Sequence, residues 1–135
     1  MALLDDIADY LTSGSVASTI YAGHMPAVPD AAVCVYETGG VAPVHGMGNV
    51  PGRAKFERPR IQVVSRGEAL GYQDARATAQ AAFLLLDGMP QREINGTRYL
   101  WGAAVQSPFL MGMDEQARPL IAFNVDIVRA MSTST

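Results

Sequence analysis

Cysteine is almost missing from this chain. Its 135 residues hold one, Cys34, so neither an intramolecular disulfide nor a cysteine-based zinc cluster can form. Lysine is as scarce, with Lys55 alone beside nine arginines, and there are only two histidines, His24 and His45. No apolar run approaches the ~20 residues of a membrane-spanning helix. Charged residues are 17% of the chain, below the usual ~25%, while hydrophobic residues reach 49%. That balance excludes intrinsic disorder, which needs low hydrophobicity and high charge. A net charge of −3 and a pI near 5.2 exclude a generic basic nucleic-acid binder. The acidic N-terminal Met-Ala-Leu-Leu-Asp-Asp is unlike a basic signal peptide, so the chain is expected to be made and folded in a cytosol. The length suits one domain over residues 1–135, large enough to bury a core without staples.

The patterning is clearest in residues 72–86. Ala75, Ala79, Ala82, Phe83 and Leu86 share one helical face, and Asp87-Gly88 with Pro90 closes the helix. A shorter amphipathic helix is predicted over residues 3–11, with Leu4, Ile7, Ala8 and Leu11 inward and Asp5, Asp6 and Asp9 outward. Strands are predicted at residues 16–21, 31–36, 58–66, 99–106 and 120–128, with a tight turn at Asn95-Gly96. In the last strand Ile121, Phe123, Val125 and Ile127 alternate with Ala122, Asn124 and Asp126. The first set is expected to pack on the 72–86 helix, with Asn124 and Asp126 facing away. Residues 38–57 carry five glycines and two prolines without any period, which reads as a long flexible loop. Residues 108–119 read as a linker, and the Ser/Thr tail 132–135 as frayed. The elements together predict an α+β fold: a mixed or antiparallel sheet of about four to five strands, two helices on one face, and a long extended loop.

Reactive groups do not converge in the sequence. His24, His45 and Asp30 could supply metal ligands, but no HExxH, HxH or CxxC spacing supports them. Cys34 lies in an apolar strand, where a thiol is inert rather than nucleophilic. Gly46 to Gly52 matches neither GxGxxG nor GxxxxGK[ST]. No catalytic residue, cofactor site or metal site is expected. Arg53, Lys55, Phe56, Arg58 and Arg60 form a basic cluster at the end of the glycine-rich stretch. Glu57 interrupts it and the chain is acidic, so a docking arm for acidic groups on a neighbouring protein fits better than a single-stranded nucleic-acid site, with a solvated loop end the equal alternative to docking. A small enzyme or ligand-binding domain near the histidines is the alternative from a different class.

Several strings, in order, resemble a family of small tailed-bacteriophage proteins: minor capsid proteins related to tail terminators. They are Leu3-Leu4-Asp5-Asp6-Ile7, Val35-Tyr36-Glu37-Thr38-Gly39-Gly40 and Glu57-Arg58-Pro59-Arg60-Ile61-Gln62-Val63. Tyr72 with Ala75-Arg76, Leu86-Asp87-Gly88, Asn95-Gly96-Thr97-Arg98-Tyr99 and Gln106-Ser107-Pro108-Phe109 follow. Asp114-Glu115-Gln116-Ala117-Arg118-Pro119 and Phe123-Asn124-Val125-Asp126 close the series. The resemblance implies a homo-oligomeric ring, typically of six subunits, that ends the tail tube and joins it to the head connector or stopper protein. Double-stranded DNA then passes the lumen without specific binding, and six copies at −3 each total −18, which repels phosphate. The implied location is the virion neck, after synthesis in the bacterial host cytoplasm, with no membrane involved. Asn124 and Asp126 are candidates to face the lumen. A head-side completion protein is the related alternative.

Overall fold

The computed structural model describes residues 3–16, 18–44 and 56–130. Helix α1 (Leu3–Ser13) precedes β1 (Thr19–Ala22), β2 (Ala32–Val44) and β3 (Phe56–Arg66). Helix α2 (Tyr72–Leu86) then leads into β4 (Arg92–Ile94), β5 (Thr97–Ala104), β6 (Phe109–Met113) and β7 (Pro119–Ala130). The strands form one sheet in the order β1-β2-β3-β7-β5-β4. The β1–β2 pair is parallel and every other pair antiparallel, so the sheet is mixed.

β7 is the spine. β3 pairs along one of its edges, while β5 and β6 share the other, β5 on residues 125–129 and β6 on residues 119–122. Among the described residues the sheet therefore has seven strands rather than four to five. β4 and β6 are the additions. β4 is three residues long, and its sequence carries too few positions for a period. It pairs with β5 across Asn95 and Gly96, both at positive φ as a two-residue hairpin requires.

Both helices cover the same face. Ile7 and Leu11 of α1 and Ala82 and Leu86 of α2 meet Val33, Val35, Ile61, Val63, Phe123, Val125 and Ile127 from the sheet in one core. Phe83 meets Phe123 edge-on, ring centroids 5.7 Å apart. Ile121 packs on Ala75 and Ala79 farther along α2. The small alanines let the helix sit close to the strands, which is why an alanine-rich face serves here. The period-two reading of β7 holds: Ile121, Phe123, Val125 and Ile127 are buried, while Asn124 and Asp126 are half-buried on the opposite face.

Residues 38–44 and 56–57 differ from the expected structureless loop over 38–57. Residues 38–44 continue β2, and Phe56 and Glu57 begin β3, paired as a ribbon out to Val44↔Phe56. The intervening residues 45–55 lie outside the described residues. The glycines punctuate the ribbon instead of ending it. Register shifts fall between Glu37 and Gly40 and between Val41 and Val44, where β-bulges twist the strand. Gly40 has φ 142°, and a Cβ there would stand 2.5 Å from the Arg58 carbonyl oxygen and 2.8 Å from Pro59 Cα. Gly40→Ala is therefore expected to cost about 1–3 kcal/mol from backbone strain alone, before the clash is counted. Hydrogen exchange should show faster exchange at residues 38–41 and 58–60 with the α2 core unchanged.

Candidate assembly surfaces

The face of the sheet away from the helices is partly bare. Strand alternation turns Tyr36, Gln62 and Asn124, aligned across β2, β3 and β7, toward this side. In the next row Arg60 lies opposite Asp126. Its guanidinium grips the carboxylate at both oxygens, Nε to Oδ1 at 2.6 Å and Nη2 to Oδ2 at 3.2 Å. This joins two groups that the sequence reading had placed on different surfaces. Arg60, read as an interface residue, shares one face with Asp126, read as lumen-facing, and its fork is already occupied. Phe56 and Arg58 follow on the same side of β3, Phe56 half-buried and Arg58 exposed. Arg53 and Lys55 lie outside the described residues. Asn124 is tied by its backbone N–H, which donates to Gln106 Oε1 at 3.0 Å.

The remainder of this face lies under a strap, the connector between β1 and β2. Two buried arginines hold it. Arg66 donates to the carbonyls of Pro26, Pro29 and Asp30 at 2.6–2.8 Å. Arg118 donates to the Ala27 carbonyl and to the carboxylates of Asp30 and Asp114. An arginine fork suits this role because it satisfies several carbonyls at once. The scarcity of lysine thus has an internal reason: Arg60, Arg66, Arg118 and Arg129 all pair within the subunit.

Beside the strap lie Cys34, fully buried, and Tyr36. Burial pushes the Cys34 thiol up from its usual range. Desolvation, reinforced by the neighbouring thiol, pushes the Tyr36 phenol up to about 12. The neutral phenol is the form that the fold favours. Its contribution is complete below pH 10 and is lost as pH rises from there through about 12. Tyrosinate absorbance should accordingly lag in the native protein relative to the urea-unfolded chain, and stability should fall across that interval.

A polar cluster sits on the helix-covered face, where the sequence reading had placed Asp6 in solvent. Asp6 is fully buried. It accepts a 2.6 Å bond from Tyr99 Oη and a 2.9 Å bond from Asn95 Nδ2. Arg129 Nη1 reaches Tyr99 Oη at 3.5 Å, and Arg129 Nε donates to Glu57 at 2.5 Å. Burial and the Asp6 bond both push the Tyr99 phenol up. The cluster ties α1, the β4–β5 hairpin and the outer end of the β2–β3 ribbon together. Only the Asn95-Gly96 turn and the buried aromatic position hinted at it.

No reacting constellation is assembled among the described residues. His24 is exposed on the strap, and His45 lies outside the described residues. No three His, Cys, Asp or Glu side chains among the described residues could hold a metal ion. A cleft of about 290 Å³ beside α2 is lined by Arg66, Glu68, Asp74 and Thr78 among others, but Thr78 Oγ1 is engaged with the Asp74 carbonyl. No helix among the described residues is long and apolar enough to cross a membrane. The distinctive surfaces are instead a partly bare sheet face, polar at Gln62, Asn124 and the Arg60–Asp126 pair and apolar at Trp101 and Val105, and the apolar edge strand β6.

A one-sided α+β domain whose distinctive surfaces are open sheet faces and edges has the form of an assembly subunit. The chain belongs to the bacteriophage tail terminator protein family, whose model matches residues 6–130. That family is one of phage structural proteins, which sets this chain among virion components. A chain from the virion of a native gene transfer agent (GTA) particle has a similar fold, with TM-score 0.62 and 16% identity over 96% of each chain. A second solved structure matches at TM-score 0.59 and 13% identity, over 99% of this chain and 94% of the other. At these identities the likeness is one of fold. No curated protein sequence matches the chain.

Proposed function

We propose that this protein forms a homo-oligomeric ring of six copies that ends the phage tail tube and joins it to the head-side stopper. The family match over residues 6–130 is the observation that carries this reading. The geometry supports it with a division of labour. The helices close one face of the sheet, and the bare face, with Asn124 and the Arg60–Asp126 pair, is turned to the lumen. DNA then passes a surface of amides, a phenol and the exposed Trp101 and Val105, on which the Arg60 charge is cancelled by Asp126. Arg53 and Lys55, just before β3 in the sequence, with Phe56 and Arg58 at its start, are the docking residues for acidic groups on the tail tube or stopper. The virion neck is the working location, after synthesis in the host cytoplasm.

Native mass spectrometry and negative-stain imaging of the purified full-length protein test the ring. Six copies of 14.4 kDa, about 86 kDa in all, around a central hole are expected. A monomer at every concentration would contradict it.

A further inference from the structure

The sheet is open, and its free edges are not alike. Edge strands of soluble monomers are normally protected by charge, proline or a cover, because their unpaired N–H and C=O groups recruit other strands. β4 has that protection: Arg92 and Glu93 occupy it, and the Arg92 guanidinium lies over the Tyr10 ring. The part of β2 that runs beyond β1 is broken by bulges and carries the exposed Glu37. β1 and β6 have neither device. β1 reads Thr-Ile-Tyr-Ala and β6 reads Phe-Leu-Met-Gly-Met, without a charge in either.

β6 is also bare on both faces. Phe109, Leu110, Met111 and Met113 are 39%, 49%, 45% and 53% exposed. At the ~200 Å² of a large side chain these fractions amount to roughly 370 Å² of apolar surface, in the range of the largest patch on a typical monomer, which is often functional. Trp101 and Val105, each 47% exposed, do not extend this edge: paired beside Val128 and Asn124, they turn toward the sheet face away from the helices. The four on β6, within five consecutive positions, are over a third of the eleven exposed large hydrophobics among the described residues, so apolar surface is concentrated on this strand.

We propose that β6 of one copy pairs edge-to-edge with β1 of the next copy. The two edges lie at opposite ends of one sheet, so the contact is heterologous and repeats around a ring instead of stopping at a dimer. Backbone pairing satisfies the open N–H and C=O groups of both strands, and the apolar side chains of β6 supply the burial. Edge-to-edge joining makes the sheets one closed band with the helices outside and the bare face inside. A second copy fits better than an unlike partner because the same chain carries both uncharged edges. This inference rests on the ring reading and specifies the contact that closes it.

The test uses full-length protein carrying Thr19→Cys with Met113→Cys, and each single change as control; Cys34 is buried and stays unreactive. Native mass is measured first, followed by a short bis-maleimide cross-linker and a denaturing gel. A ladder of covalent oligomers from the double variant, with monomer from both singles, is the expected result. An oligomer by native mass without such a ladder overturns the β1–β6 contact and leaves the ring standing. Dimers from Met113→Cys alone show a two-fold β6–β6 contact and also overturn it. A wild-type monomer overturns the ring reading and this contact with it. As a second measurement, Met111→Lys with Met113→Lys should raise the concentration for half-assembly about tenfold or more, with the melting of the dissociated subunit unchanged. Unaltered assembly of that folded variant overturns the contact.

Discussion

Phe123→Ala is expected to lower the unfolding free energy by about 3–5 kcal/mol, the range for deleting a buried aromatic side chain. Phe123 has no exposed surface and stands where the layers of the fold meet. Val63 is its neighbour on β3, Phe83 touches it edge-on from α2, and the residues of α1 complete the same core. Close-packed surroundings relax only partly around a vacated ring, so cavity and transfer costs add. Asp126→Ala, three residues along the same strand, is expected to cost far less. Its partner Arg60 and Asp126 itself are 39% and 40% exposed, so water replaces much of what the pair contributes. Urea unfolding followed by circular dichroism measures both. Equal losses would mean that the inward and outward faces of β7 are wrongly assigned.

Asp6→Ala is expected to cost about 2–3 kcal/mol, because it leaves buried donors without their acceptor. The Tyr99 hydroxyl loses its 2.6 Å bond, and Arg129, the other group near it, is itself a donor. Asn95 keeps one carboxylate partner, Asp9, so the damage centres on Tyr99. Asp9→Ala removes only an exposed bond and should be close to neutral. Adding Tyr99→Phe to Asp6→Ala removes the stranded hydroxyl along with its acceptor, and the double variant should be less destabilised than the two single losses added together. Strict additivity in thermal and urea unfolding would show that the two side chains are not coupled.

The parts of the fold legible in the sequence were those governed by a single period. α2 is bounded by its apolar face and its Gly–Pro stop, and the observed helix, Tyr72–Leu86, coincides with the predicted one. β7 declared its buried face by alternation. β6 was not legible for the opposite reason. Both its faces are apolar and exposed in the subunit, so Phe109 to Met113 show no alternation, and Gly112 at φ 149° looks like a linker residue. The ribbon was misread because Gly39, Gly40 and Pro43 signal turns locally, whereas pairing with β3 accommodates them as bulges. Asp6 was placed in solvent because helical periodicity says where a side chain points but not what lies there. Tyr99, 93 residues away, makes that position suitable for a carboxylate.

The candidate surfaces divide in the same way. Asn124 and Asp126 could be assigned to the face away from the helices from period two alone. The engagement of Arg60 by Asp126 could not, since it joins residues 66 apart in the chain. The count of nine arginines to one lysine does not say where they act. The structure shows that Arg66 and Arg118 serve the subunit itself, anchoring the strap through carbonyls that no side-chain pattern reveals.

The most direct measurement of the account's central claim is electron microscopy of tails assembled in the phage that encodes this chain, with the gene intact and with it disrupted. With the chain present, tails of uniform length are expected, each with a ring of density at its head-proximal end and attached to a filled head. With the gene disrupted, tubes should lack that density, vary in length and remain unjoined. Tails of normal length that carry the ring and join heads without this chain would contradict the assignment.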